Sequence, residues 1–337
     1  MLNFDKNIYL KDFKKITALR TEIEDLVDGV MKNPIKNVYL IGIGGTLALM
    51  QPLDCMIRKY SAVPVYTVSA AELVLDPGKP FGPGTFALMM SESGETKETV
   101  AAAEYCAKAG LNPVGVSCKR NSSLAKAIKN CIISEESDRY SSDGDFIRLY
   151  MIVARLLHNL GDFPQYDAFM NTVESLPDVF VKVKEECEEA AKDFAYKYKD
   201  ETFHMLVGSG NCWGETYSYA MCILEEMQWI RTQSIHAAEF FHGALEIIDK
   251  DTSIVLFKGE DATRPLMERV QRFAVKYSDK VTVFDTASYG KGLIPEEFRG
   301  DLSPALITVI GGRISVHIEV ARNHSLDLRR YYRVVEY

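Results

Sequence analysis

The sequence predicts an α/β protein made of two tandem halves, each a parallel sheet layered between helices as α/β/α. Three observations carry this. Short β-branched runs alternate with longer helical patterns through the first half, the signature of a parallel sheet. A second series on the same plan follows a charged, helix-favouring stretch at 166–200. Each half also opens on a strand that runs into glycines: Val38-Tyr39-Leu40-Ile41 into Gly42-Ile43-Gly44-Gly45-Thr46, and later 203–207 into Gly208-Ser209-Gly210.

Taken in order, strands are expected at 37–42, 64–68, 85–90, 113–117 and 130–133. A helix at 46–59 fits between the first two, since Leu47, Leu49, Met50, Leu53 and Met56 recur at helical spacing. A helix from about Asp145 to Leu160 closes the first half, and Pro164 breaks it. In the second half strands are expected at 203–207, 234–237, 253–258, 280–285 and 306–310. The resulting domains are an N-terminal helical segment 1–33, a first α/β unit 34–162, a helical connector 163–200, a second α/β unit 201–321 and a tail 322–337 dense in Arg and Tyr.

Composition narrows the partners. A net charge of −8 argues against nucleic acid or an acidic membrane surface, and leaves anionic metabolites open because local dipoles can hold them. Seven cysteines without a CxxC pair fit reduced thiols in the cytoplasm. The six histidines show no HxxxH or HExxH spacing, so no metal and no zinc site is expected. Neither a signal peptide nor a transmembrane stretch is apparent.

The most informative motif is Ser91-Glu92-Ser93-Gly94-Glu95-Thr96, directly after the apolar run 86–90. A buried strand that stops at small hydroxyl residues and turns at a glycine into a helix gathers hydroxyls and backbone N–H groups around one point. A helix N-terminus carries roughly half a positive charge, so that point suits an anion, most often phosphate. Helix capping would need only one of Ser91, Ser93 and Thr96. Together with the glycine turn at 42–46, the motif implies a phosphorylated small molecule held at the strand ends. The turn is not a dinucleotide fingerprint: Leu47 stands where a third glycine belongs, and the second strand ends at Thr67-Val68-Ser69 without an acidic residue. No GK[ST] follows either, which excludes a P-loop.

The second half supplies candidates for proton transfer. Glu226 lies among Leu224, Met227 and Ile230 and is expected to face an apolar region. His242 precedes Gly243 in an aromatic segment poor in charge. Glu239, one turn earlier, is a candidate to orient the imidazole or bind substrate. The plainer readings are a solvated helix face for Glu225 and Glu226, and core or capping roles for His236 and His242.

These elements resemble the sugar isomerase (SIS) domain family. The isomerase half of glucosamine-6-phosphate synthase has a glycine turn, an S-x-S-G-E-T loop, and a catalytic Glu followed sixteen residues later by a His, as Glu226 and His242 are here. The chain is more closely similar to the fructosamine-6-phosphate deglycases, in Glu226-Met227-Gln228-Trp229-Ile230, His236-Ala237-x-Glu239-Phe240-Phe241-His242-Gly243, Thr263-Arg264-Pro265-Leu266 and the ending Arg329-Arg330-Tyr331 to Tyr337. It departs from many of them at Ala244, where a proline is common, and at 323–327, where a His-Pro pair is frequent.

The resemblance implies two tandem flavodoxin-like SIS domains and a cytoplasmic enzyme. It would cleave a 6-phosphorylated Amadori product into a hexose 6-phosphate and a free amino compound, without a cofactor. Gly45, Thr46, Ser91, Glu92, Ser93 and Thr96 would hold the phosphate, Glu226 and His242 would form the acid–base pair, and the tail through Tyr337 would close over the site. Family members are usually homodimers or larger assemblies with sites at subunit interfaces. The missing glutaminase domain and N-terminal cysteine argue against glutamine-dependent amination. Two alternatives stand beside this reading: an aldose–ketose or aminosugar phosphate isomerase, and a sugar-phosphate-sensing regulator that needs the loop but not the acid–base pair.

Overall fold

The structure is a computed structural model that describes residues 1–134 and 141–336. The chain divides into two compact units, Asp5–Pro177 and Asp178–Tyr337, the latter joined by Met1–Phe4.

The first unit opens with helices α1 (Lys6–Thr17) and α2 (Arg20–Val30). Asp5 caps α1, accepting from the N–H groups of Asn7 and Ile8 at 2.9 and 3.0 Å. Both helices are fastened to α7 (Ser141–Asn159), the helix expected at 145–160. Tyr9 donates to Asp143 at 2.8 Å, and Arg155 grips Asp28 through bonds of 2.7 and 2.6 Å. From Asp5 onward the 1–33 segment therefore belongs to this unit.

Its sheet comprises β1 (Asn37–Gly42), β2 (Val65–Ser69), β3 (Thr85–Met90), β4 (Val114–Ser117) and β5 (Asn130–Ile133). The order is β2-β1-β3-β4-β5 and every pairing is parallel. Strands β1 and β3 are buried at every position, as helices on both faces require, whereas β2 at one edge is only half-buried. Helices α3 (Gly45–Tyr60) and α5 (Lys97–Lys108) leave from the ends of β1 and β3, and the short α4 (Ala70–Leu75) and α6 (Ser123–Ala127) follow β2 and β4. Ile41 is in register with Met89, and Met90 with Val116, so β1, β3 and β4 end along one rim. The chain's direction across the sheet reverses between β1 and β3. Such switch points are where open α/β sheets bind ligands.

The stretch at 163–200 contains one long helix, α8 (Tyr166–Lys197), and the division between the units falls within it at Pro177. The second sheet has four parallel strands, β6 (Phe203–Gly208), β7 (Arg231–His236), β8 (Ile254–Lys258) and β9 (Val281–Asp285), in the order β7-β6-β8-β9. It repeats the reversal, here between β6 and β8. Helices α9 (Trp213–Ser218), α10 (Arg264–Tyr277) and α11 (Glu296–Arg322) complete the unit.

The strand expected at 306–310 is wrong: those residues lie in the middle of α11. Leu302, Leu306, Ile307, Val309, Ile310, Ile314 and Ile318 are all buried, so the helix is apolar around its circumference and shows no amphipathic period. Gly311 serves packing, since a Cβ there would meet the Tyr219 ring at 3.0 Å. By length and composition α11 could cross a membrane, but 67% of its apolar window is buried inside the fold, which makes it a core helix. No disulfide joins any of the seven cysteines.

One buried group gives this unit a pH dependence. Burial beneath Phe194 and Tyr198 pushes the His204 imidazole down to about 4, and Nδ1 bonds the Ser253 hydroxyl at 2.8 Å. Unfolded, the same ring takes up a proton near pH 6.5. Between those values the unfolded state binds more protons, so stability falls as pH drops from 6.5 toward 4, by about 3 kcal/mol in total. Unfolding midpoints measured across this window should slope less for His204→Gln than for the parent. Equal slopes would contradict the assignment.

Candidate functional site

The predicted phosphate loop sits on the rim of the first sheet, at the switch point. Ser91 follows β3 and is buried. Its Oγ accepts the Gly94 N–H at 3.1 Å and bonds the Thr96 hydroxyl at 2.9 Å, which closes residues 91–96 into a tight turn. The loop is tied to β4 by two further bonds, Ser91 N–H to Val116 O at 3.1 Å and Cys118 N–H to Glu92 O at 3.1 Å. Gly94 adopts φ +68°, and a Cβ there would fall 2.2 Å from the Ser122 hydroxyl. Only glycine fits that corner.

Neighbouring β1 ends in the glycine turn, where Thr46 Oγ1 donates to Ile43 O at 3.0 Å and accepts the Ile43 N–H at 3.2 Å. Gly45 is the first residue of α3, and the close backbone approach falls at Gly42, where a Cβ would lie 2.6 Å from Leu47 N.

What the rim can bind follows from its caps. Thr96, the cap residue of α5, directs its hydroxyl to Ser91 and makes no side-chain cap bond to the helix. Gly44, at the head of α3, has no side chain to offer. By contrast α6 is capped by Ser122, which accepts from Ala125, and by Glu95, which accepts the Ser123 N–H at 2.9 Å. The two helices at the switch point, α3 and α5, lack side-chain caps, as the short α4 after β2 also does. Their first-turn N–H groups, with the helix dipoles behind them, suit a phosphate. Ser93 and Thr96 are half-buried beside them. Glu92 is exposed, and its carboxylate has the wrong sign to face a phosphate; its contribution would come from the backbone.

The second unit carries the proton-transfer candidates. Residues Tyr219–Glu225 form a π-helix, a rare geometry concentrated at functional sites, and Glu226 is its first residue beyond. Its N–H reaches back five residues to Met221 O at 3.0 Å, and the left-handed Trp229 (φ +57°) ends the turn. The apolar setting expected for Glu226 is not found. Its Oε1 accepts Nε of Arg329 at 2.8 Å and 29% of the side chain is exposed, because the tail rather than the helix supplies its neighbour. Glu225, by contrast, is tied locally to the Thr232 hydroxyl at 2.6 Å.

His242 ends a short 3₁₀ turn, Phe240–His242, anchored by the buried Phe240 against Phe241 and Phe273. His242 and Glu239 are both exposed. The bond between them is backbone to backbone, His242 N–H to Glu239 O at 2.9 Å, and no carboxylate–imidazole bond joins them among the described residues. Glu239 instead exerts its field on His236. Burial lowers the His236 pKa against the opposing pull of Glu239 and Asp261, and Nδ1 accepts the Ala238 N–H at 3.2 Å, so the ring is neutral with its proton on Nε2. Tyr337 lies outside the described residues. Among the described residues no three His, Cys, Asp or Glu side chains are gathered as a metal site would need.

Sequence reading missed Asp261. The rim of the second sheet matches that of the first, with Ser209-Gly210 after β6 and 259–263 after β8. Here the chain fills the anion position itself. Asp261 accepts the N–H groups of Asn211 and Thr263 at 2.9 and 2.8 Å and the Thr263 hydroxyl at 2.6 Å. Ser209 bonds the same hydroxyl at 2.8 Å, and a Cβ on Gly210 would lie 2.1 Å from the carboxylate. The second rim therefore has backbone N–H groups taken by a carboxylate of the chain itself.

Two parallel-sheet units, one with an anion-ready switch point and the other with a carboxylate just past a π-helix, define a tandem α/β protein of the sugar-phosphate-handling class. A SIS domain model matches residues 33–148. The chain is 31% identical to fructosamine deglycase FrlB of Bacillus subtilis (strain 168), across 94% of this chain and 97% of that one. A solved structure described as a phosphosugar isomerase from Bacillus subtilis matches with TM-score 0.88 at 31% identity, covering 96% of this chain and 100% of that one. Another so described, from Salmonella typhimurium LT2, matches with TM-score 0.86 at 26% identity, covering 97% and 99%. The chain belongs to the SIS family, as two tandem SIS domains, and is an enzyme of the phosphosugar deglycase and isomerase kind.

Proposed function

We propose that the enzyme cleaves a 6-phosphorylated Amadori product, a fructosamine-type conjugate of an amino acid, into a hexose 6-phosphate and the free amine. The observation that carries this reading is the near full-length likeness to a fructosamine deglycase. The uncapped helix ends at the first switch point support a phosphate anchor.

The substrate has a ketone at C2 and a secondary amine at C1. Glu226 removes a proton from C1, giving an enaminol, and returns a proton to C2. The imine formed at C1 then takes up water and breaks its C–N bond, releasing aldose 6-phosphate and amine. His242 serves ring opening and the oxygen-bound protons, and the two groups are interchangeable in this scheme. The C2 carbonyl takes up the electron pair released at C1, and the nitrogen lone pair drives the return of a proton to C2, so the route requires no cofactor. The acting species in this proposal is a homodimer or larger assembly in the cytoplasm, with sites at subunit interfaces. The exposure of His242 and of the tail residues Tyr331 and Val334 on a single chain is consistent with that.

The second reading, an aldose–ketose isomerase, is favoured by the solved relatives described as phosphosugar isomerases. One experiment separates them: incubation with fructoselysine 6-phosphate, glucoselysine 6-phosphate and fructose 6-phosphate, assaying hexose 6-phosphate and free amine. The deglycase reading expects stoichiometric amine from a conjugate. Interconversion of fructose 6-phosphate without amine release from either conjugate would replace it with the isomerase.

A further inference from the structure

The carboxylate of Glu226 is held by the chain's own tail. Arg329 donates Nε to Oε1 at 2.8 Å, and its Nη1 is committed to two carbonyls of its own segment, Leu326 at 2.7 Å and Leu328 at 2.9 Å. Those bonds fix the plane of the guanidinium before it meets the carboxylate. The tail is braced in turn against the segment that follows Glu226. Gln228 donates to His324 O at 2.9 Å, the Trp229 ring packs edge-on to His324 at 4.4 Å, and Arg330 lies over Trp229 at 4.0 Å. At the far side, Glu319 on α11 accepts the Leu326 N–H at 3.1 Å. The result is a closed circuit of contacts from α11 through the tail to residues 226–229. It clamps one oxygen of Glu226, and no protein hydrogen bond to the other is present among the described residues.

We propose that Arg329 is a positioning residue for Glu226: it pins Oε1 from a braced tail so that Oε2 is presented, in one orientation, to the carbon-bound proton of the substrate. This rests on Glu226 being the base of the proposed reaction. A flexible glutamate at the end of a π-helix samples several rotamers, and proton abstraction from carbon demands a reactive oxygen held at close range. A misplacement of about 1 Å can cost on the order of 10²-fold in rate. Arginine suits the task because its planar fork binds the carboxylate and the tail carbonyls at once, which an ammonium group on a flexible stem does poorly.

The test uses the full chain with fructoselysine 6-phosphate and compares the parent with Arg329→Ala, Arg329→Lys and Glu226→Gln. For Arg329→Ala, kcat should fall about 10–100-fold with KM within about threefold. Either a smaller loss in Arg329→Lys, or recovery of Arg329→Ala by low-millimolar guanidinium, should accompany it. A tail that merely covers the site would show the other split, a raised KM with kcat retained, and that result overturns the proposal. So does an Arg329→Ala turnover within twofold of the parent, or a loss that neither lysine nor guanidinium reduces. If Arg329→Ala does not fold, the lysine variant decides alone: an unchanged kcat, or a raised KM with kcat retained, overturns the proposal, and a lowered kcat at unchanged KM sustains it. Glu226→Gln keeps the two ideas apart. If that variant turns over within tenfold of the parent, the base assignment fails whatever Arg329 does.

Discussion

Glu226→Gln should lower kcat by about 10²–10⁴-fold while sugar-phosphate binding persists. That range corresponds to roughly 3–5 kcal/mol of lost transition-state stabilisation. The substitution keeps size and hydrogen-bonding reach but removes the ability to accept a proton from carbon. Since the proposed phosphate loop lies in a different unit of the chain, affinity for fructose 6-phosphate measured calorimetrically should stay within a few-fold of the parent. Exchange of substrate C1 hydrogen with deuterated solvent, followed by NMR, reports the same step directly and should vanish. Retained exchange with lost amine release would move Glu226 to the hydrolytic half of the reaction. Turnover within tenfold of the parent would remove it from the chemistry altogether.

The second large effect is expected at Gly94. An alanine there must hold φ +68° with its methyl 2.2 Å from the Ser122 hydroxyl and 2.3 Å from the Ser122 Cβ. Left-handed backbone costs a non-glycine residue about 1–2 kcal/mol, and the overlap, which Ser122 cannot relieve without uncapping α6, adds about as much. Gly110 is the natural control, since it has φ +73° and no heavy atom within 4 Å of the place an alanine methyl would occupy. Gly110→Ala therefore measures the backbone term alone. Urea unfolding should show Gly94→Ala less stable than Gly110→Ala by about 1–2 kcal/mol. Only Gly94→Ala should raise KM, because only it distorts the turn that presents Ser93 and the head of α5. Equal stability and equal KM in the two variants would show that the loop tolerates the methyl and does not shape the anchor.

How far the sequence foretold these features depends on the range of the forces involved. Strands β1 and β3 were legible because complete burial writes itself as unbroken apolar runs such as 86–90. The loop at 91–96 was legible because the hydrogen bonds that close its turn span at most five residues, whereas the longer ones that tie it to residues 116–124 left no local mark. Helix α11 was not, since burial on every side erases the amphipathic period that separates helix from strand. The surroundings of Glu226 were misjudged for a different reason. Its neighbours in sequence are apolar, but its partner is 103 residues away, and no local pattern announces a pairing of that span. Asp261 escaped notice because its role follows from the register of β6 and β8, which only the folded sheet reveals.

Asp261 also bears on how many substrate molecules one polypeptide admits. Held by the backbone N–H groups of Asn211 and Thr263, this side chain competes as an intramolecular ligand, whose effective concentration is typically millimolar or higher. A dissolved phosphate ester would have to displace it against the repulsion between two anions. Titrations should therefore saturate at one phosphosugar per chain, and in the proposed reaction the second sheet would supply chemistry alone, with no anchoring duty.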